Sequence, residues 1–204
     1  MNMTLGDTRL IIDECKNAGC LRNQAAYILA TAYWETGRTM KPVREAFASS
    51  DQQAMSRLEN AWKKGQLKWV RTPYWRDGWF GRGYVQLTHK TNYETAAEKL
   101  GLPFVSNPSI ALQSGPAARV LVWGSMEGWF TGKKISDYIT LGKSEFRKAR
   151  RVINGNDRAS EIAKIAREYD EALEAEGYGV SEIEAAPQPD AKPEVHKPLI
   201  QSER

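Results

Sequence analysis

Residues 22–35, "RNQAAYILATAYWE", decide the fold. Ala25, Ala26, Ile28, Leu29, Ala32 and Tyr33 make the stretch apolar on nearly every side, with no Gly or Pro inside it. A helix that is apolar all round belongs in a protein's interior. The run therefore predicts a central buried helix, opened by Asn23 as a capping residue. Helical periodicity continues on both sides. "TLGDTRLIIDECKNAG" (4–19) predicts a helix with Leu10, Ile11 and Cys15 near one face, stopped by Gly19. "SSDQQAMSRLENAWKKG" (49–65) predicts another, capped by Ser50 and closed at Gly65. "TNYETAAEKLG" ends at Gly101, and "SGPAARVLVWGSMEGWF" carries Ser114 as cap with Pro116 in the first turn. "KSEFRKARRVINGN" (143–156) and "DRASEIAKIAREYDEALEAEG" (157–177), the latter capped by Asp157, complete a helical body.

Residues 66–87, "QLKWVRTPYWRDGWFGRGYVQL", break this rhythm with Trp, Tyr, Gly and Arg. They predict irregular structure or a small β element near residues 74–87, where binding groups concentrate. After Gly179 four prolines and scattered charge predict a disordered tail or linker. The reading is all-α or nearly so, with a body over 1–179 and a Pro-rich tail over 180–204.

The chain has 29 Lys and Arg against 25 Asp and Glu. The tail holds five acidic and three basic residues, which leaves 26 basic and 20 acidic in residues 1–179. A net +6 favours a polyanionic partner surface without choosing between a cell envelope and nucleic acid. Seven Trp are core anchors or flat platforms for sugars. Cys15 and Cys20, five residues apart, are expected as thiols, because on one helix they point away from each other. The two histidines, His89 and His196, form no metal-ligand pattern with them. "MNMTLGDTRLII" lacks the basic and apolar pattern of a secretory leader, and no stretch of 18 apolar residues follows. The expectation is a chain kept in a cytosol, without stable membrane insertion.

Candidate chemistry begins at the end of the apolar run. Glu35 is a carboxylate finishing a helix of apolar residues, and dry surroundings favour the protonated form that a general acid needs. Gly37 and Pro42 then turn the chain, so that Glu45 faces back toward Glu35 or pairs with Arg38 or Arg44. Two carboxylates across a gap are the minimal machinery of glycoside hydrolysis: one protonates the leaving oxygen, the other handles a water or attacks the sugar. Glu59 is a competing second carboxylate. In "GRGYVQLTHKTNY" (81–93), Gly81 and Gly83 allow close backbone approach, and Arg82 is able to hold a carboxylate. Gln86, Thr88 and Asn92 offer short polar groups for sugar hydroxyls, acetamido groups or a water. Thr88 is equally placed to cap the next helix. Trp79 and Tyr93 add aromatic surface, and both are expected, with Arg82, to contact substrate. The stretch lacks the remaining residues of a P-loop or a dinucleotide fingerprint.

"AYWETG", "GRGYVQLTHKTNY" and "INGN" (153–156), in that order over roughly residues 20–175, resemble glycoside hydrolase family 19. That family contains plant-type chitinases and many bacterial and bacteriophage cell-wall lysins. The resemblance implies a lysozyme-like helical bundle and an inverting glycosidase needing no metal or cofactor. It implies Glu35 as general acid, Glu45 as general base, and Thr88 as a holder of the attacking water. Gln86, Asn92 and Asn154 correspond to substrate-binding polar residues, Asn154 near the N-acetyl group. Inversion requires the two carboxyls about 6.5–9.5 Å apart. The chain departs from the plant enzymes at Trp34, Thr91 and Asn156, and in lacking their disulfides. With no leader or chitin-binding module recognised, the expected substrate is the glycan strand of peptidoglycan, with chitin as the alternative. The expected setting is a phage-type endolysin, monomeric, held in the host cytoplasm until a holin releases it. The rival classes are a catalytically inactive glycan-binding protein, which needs no acid at Glu35, and a nucleic-acid binder, whose affinity falls steeply with salt.

Overall fold

The computed structural model describes residues 1–179. The fold is mainly helical, as the periodicity predicts, and consistent with a lysozyme-like bundle. Six α-helices are described: α1 (Thr8–Asn17), α2 (Arg22–Glu35), α3 (Asp51–Lys63), α4 (Lys90–Leu100), α5 (Ser114–Glu127) and α6 (Ala159–Ala175). The Pro-rich tail expected over 180–204 lies outside the described residues.

α2 is buried from Gln24 to Ala32, and its largest interface is with α6. The partner helix shows why. Ala159, Ile162, Ala163, Ala166, Tyr169 and Leu173 line one stripe of α6 at three- and four-residue spacing, and all are buried. The small residues on both helices let the backbones approach closely. Burying each large aliphatic chain, such as Ile28 or Leu29, contributes about 1.5–3 kcal/mol. α5 closes the core from another side, with Val120, Leu121 and Val122 buried. Its Gly124 is a contact requirement, because a Cβ there would lie 2.3 Å from the ring of Phe130. A satellite cluster of Ala48, Ala54, Leu58, Trp75 and Phe80 packs α3 against the Trp-rich segment.

Several local readings need correction. Leu10 is 36% exposed, and the buried stripe of α1 runs instead through Thr8, Ile11, Ile12 and Cys15. Asn23 does not cap α2: Gln24 Oε1 accepts from Leu21 N at 3.0 Å, which frees Asn23 Nδ2 to donate to Thr140 O and Ser144 Oγ. Ser114 is the first residue of α5, with its hydroxyl donated to Asp7. α6 opens after Arg158, one residue beyond the expected Asp157. Ser50, by contrast, caps α3 by accepting from Gln53 N at 3.1 Å. Cys15 and Cys20 are free and buried.

The β element is real but differently built. β1 (Val43–Arg44) pairs antiparallel with β2 (Arg82–Gly83), in register Val43 to Gly83 and Arg44 to Arg82. Thus the 74–87 segment finds its main partner in the chain after Glu35, and only a bridge between Arg82 and Leu87 closes within it. A second ribbon, β3 (Ile139–Thr140) with β4 (Lys143–Ser144), was not foreseen. It replaces the first part of the helix expected over 143–156; only a 3-10 turn at Lys148–Val152 remains helical there. Gln24 and Asn23 hold this ribbon by its carbonyls, so tertiary bonds outweigh local helix preference.

Asp7 ties four parts of the chain together. Its carboxylate accepts from Lys41 Nζ at 2.6 Å, Tyr84 Oη at 2.6 Å and Ser114 Oγ at 2.7 Å. Burial pushes this carboxyl up, yet the bonds from Lys41, Tyr84 and Ser114 outweigh burial and hold it below the usual range. Asp51, half-buried and bonded to Arg44 and Arg82, is held down in the same way. Because the folded values lie below the unfolded value of about 3.9, these groups stabilise the fold above pH ~4. That contribution is lost as pH falls through the folded values. Asp7→Asn is expected to cost about 1–3 kcal/mol at pH 7 and to flatten the acid limb of a stability–pH curve. Urea unfolding between pH 7 and pH 3 checks this; an unchanged acid limb would remove Asp7 from the account.

Candidate active site

The geometry starts where α2 leaves the core. Tyr33, Trp34 and Glu35 are half-buried, whereas Thr36 is fully buried. Thr36 Oγ1 donates to Ala32 O at 2.7 Å and accepts from Met40 N at 3.0 Å, fixing a tight reversal. Glu35 Oε1 accepts from Arg150 Nη1 at 2.6 Å. Arg150 is 3% exposed, and its Nε donates to Asp157 O at 3.0 Å. Glu35 Oε2 has no hydrogen-bond partner among the described residues. One carboxyl oxygen is therefore anchored from the core and the other is unengaged.

The second carboxylate is positioned by the β1–β2 ladder. Beyond β1 the ladder continues with Glu45 N donating to Gly81 O at 2.7 Å. The Glu45 carboxylate returns the contact: Oε2 accepts from Gly81 N at 2.6 Å and Oε1 from Tyr74 Oη at 2.7 Å. Burial and the adjacent carboxylate push the Tyr74 hydroxyl far above its ordinary range, so it remains a donor. The alternative pairing of Glu45 with Arg38 or Arg44 is not adopted; Arg44 bonds Asp51 at 2.7 Å.

Gly81 is the point where Glu45, Gln86 and Thr88 meet. A Cβ there would stand 2.6 Å from Gln86 Oε1 and 3.1 Å from Thr88 Oγ1, so no other residue fits without displacement. Gln86 Nε2 donates to Val43 O at 3.2 Å. Thr88 Oγ1 donates to Gln86 O at 2.6 Å, and Asn92 Nδ2 to Thr88 O at 2.7 Å. His89, rather than Thr88, occupies the capping position of α4. Glu45, Gln86, Thr88 and Asn92 thus form one bonded group around the glycine. Trp79 is half-buried with its ring 5.4 Å from that of Tyr93, and Asn154 is exposed, with Oδ1 accepting from Gly155 N.

Two expected substrate contacts are corrected. Arg82 is 2% exposed and Tyr93 is 0% exposed, so neither reaches a ligand surface. Arg82 donates to Gly78 O, Tyr93 Oη and Asp51 Oδ2, and Tyr93 Oη donates to Phe80 O. Both act beneath the loop, as supports. Glu59, the competing carboxylate, is fully engaged by Arg76 and Trp75 Nε1; the Arg76 contacts above all draw its carboxyl down to about 2.

Backbone conformation marks the same region. Among the described residues seven non-glycine residues have positive φ, and six of them, Arg38, Met40, Ala46, Phe47, Gln86 and His89, lie within five residues of Glu35, Glu45 or Thr88. Such conformations each cost about 1–3 kcal/mol and concentrate at functional sites. Tyr74 and Arg150 were not singled out from the sequence. Arg150 sits in the basic "RKARR" run; only its place beside the apolar Phe146–Ala149–Ile153 spacing separates it from its solvated neighbours. Among the described residues, no group of three or more His, Cys, Asp or Glu is placed to hold a metal ion.

The described residues thus hold a mainly helical fold with one glutamate at the end of its buried helix and another against a G-R-G loop, and comparison with known proteins gives a partial match. The chain is similar to a rice (Oryza sativa subsp. japonica) protein, Chitinase 11, with 41% identity over 64 residues. The matched part is 30% of this chain and 25% of the rice protein, so the chain spans about a quarter of that relative's length. No family model matches the chain. The match supports a chitinase or glycoside hydrolase family 19 relationship.

Proposed function

We propose that this protein is an inverting glycosidase that cuts β-1,4 bonds between N-acetylated amino sugars of bacterial peptidoglycan. The observation that supports the reading is a second carboxylate, Glu45, bonded into the same loop as Thr88, in a chain whose Glu35 keeps one carboxyl oxygen unengaged. In this mechanism Glu35 Oε2 gives its proton to the glycosidic oxygen. Glu45 accepts a proton from a water held between it and Thr88. Because the Thr88 hydroxyl proton is committed to Gln86 O, its oxygen accepts from that water, leaving a water lone pair to attack the anomeric carbon. Tyr74 and Gly81 N keep the Glu45 oxygens aimed while leaving lone pairs for the water. Gln86, Asn92, Asn154 and Trp79 line the sugar path.

The cellular role on this reading is that of a phage-type endolysin, a monomer that stays in the host cytoplasm until a holin opens the membrane. No helix among the described residues is long and apolar enough to cross a membrane. A second reading, cleavage of chitin, is favoured by the partial match to the rice chitinase. Incubating the wild-type protein with purified sacculi and with glycol chitin separates the two. Release of reducing ends from sacculi, with an inverted anomeric product by NMR, is the expected result. Release from chitin alone would replace the substrate, and release from neither would end the glycosidase reading.

A further inference from the structure

We propose that a basic groove beside the 3-10 turn at Lys148–Val152 binds the carboxylates of the peptide stems carried by peptidoglycan. This inference rests on the glycosidase reading above and adds the feature that selects peptidoglycan over chitin.

The groove encloses about 410 Å³ and is lined by Arg147, Lys148, Arg151, Asn156, Arg158 and Ser160. Four cations thus face one concavity, with Glu161 as the acidic lining residue. Arg158 is partly neutralised by Glu161 at 3.3 Å, and Lys148 by Glu145. Arg147 and Arg151 have no carboxylate within ion-pair distance among the described residues, and both are exposed. Two unengaged guanidiniums in a concave site are suited to carboxylates, which they grip with paired N–H donors.

Position supplies the rest. Arg151 directly follows Arg150, the residue that holds Glu35, and Arg150 O accepts from Asn154 N at 2.9 Å. Asn154 and Asn156 belong to one short loop, the first assigned to the sugar path and the second lining the groove. A glycan lying against Asn154 on that reading has Asn156, and with it the groove, two residues along the same loop. Peptide stems branch sideways from every second sugar of peptidoglycan and carry several free carboxylates. Chitin has no such branch and no charge, and leaves these arginines without a partner.

The test compares soluble glycan strands that retain their stems with the same strands stripped by an amidase, using wild type and an R147Q/R151Q double variant. On stemmed strands the variant is expected to lose about tenfold in kcat/KM, mainly through KM, as for partly exposed charge contacts. On stripped strands it should stay within about twofold of wild type, and ~0.5 M salt should shrink the wild-type preference for stems. Equal losses on both strands, or no loss on either, would overturn the proposal. Binding of a short single-stranded DNA that the variant alone abolishes, with stemmed strands unaffected, would make the groove a nucleic-acid surface instead. If wild type cuts neither strand but does cut glycol chitin, the peptidoglycan reading itself fails, and this is seen before any variant is examined.

Discussion

Glu35→Gln is expected to lower hydrolysis by about 10²–10⁴-fold, the usual contribution of a positioned general acid. Glutamine preserves an Oε1 acceptor for Arg150 Nη1 but has no proton to give from the second position. Arg150 is buried, so exchanging its carboxyl partner for an amide carries a stability cost of about 1–3 kcal/mol. Circular dichroism must therefore accompany the rate. Glu35→Asp separates the two effects. It keeps a carboxyl for Arg150 to bond while drawing that group back by about one methylene, enough misplacement to cost about 10²-fold. Low activity in both variants, with a near-native melt for the Asp form, is the expected pattern. A Gln variant that is folded and retains more than a tenth of the wild-type rate would remove Glu35 as the acid.

Arg82→Ala is expected to be among the most destabilising single changes outside the apolar core. The guanidinium is 2% exposed and donates to Gly78 O at 2.9 Å, Tyr93 Oη at 2.9 Å and Asp51 Oδ2 at 2.8 Å, while covering the Phe80 ring at 3.8 Å. Alanine leaves those acceptors without a donor and opens a void among them. Asp51 retains Arg44, which limits the electrostatic part. Stranding a buried acceptor costs about 1–3 kcal/mol, so the losses at Gly78 O and Tyr93 Oη and the void together come to about 3–5 kcal/mol, against a total stability of about 5–15 kcal/mol. At about 2–4 °C per kcal/mol for a chain of this size, the melting temperature should fall by roughly 6–20 °C. Because Arg82 sets the loop on which Gly81 presents its N–H to Glu45, residual folded protein should also hydrolyse poorly. Arg82→Lys keeps the charge without the planar fan of donors, and should fall between wild type and alanine. A melt within about 2 °C of wild type for Arg82→Ala would refute the supporting role and reopen direct contact with substrate.

The contrast between the two glutamates shows how far a chain can be read without its fold. Glu35 stands out because it ends a run in which every other feature argues for burial. Glu45 is visible only as the next carboxylate after a Gly–Pro turn, with Arg38 and Arg44 equally available as partners. Its neighbours were settled by pairing between β1 and β2, which no local preference of two-residue strands would specify.

What the sequence by itself determined is whatever depends on contacts within a turn or two of chain. The buried character of α2, the Ser50 cap of α3, the Gly101 stop of α4 and the glycine spacing of the G-R-G loop belong there. Each follows from periodicity, capping or backbone freedom over a few residues. The tertiary structure decided whatever depends on residues far apart in the chain. Glu45 meets Gly81 across 36 positions, Asp7 meets Tyr84 across 77, and Glu35 meets Arg150 across 115. It also put Arg82 and Tyr93 under the loop and left Arg147 and Arg151 in the open groove. An arginine carries the same charge in either setting; burial and the partners that satisfy its donors decide whether it supports the fold or meets a ligand, and those come from packing.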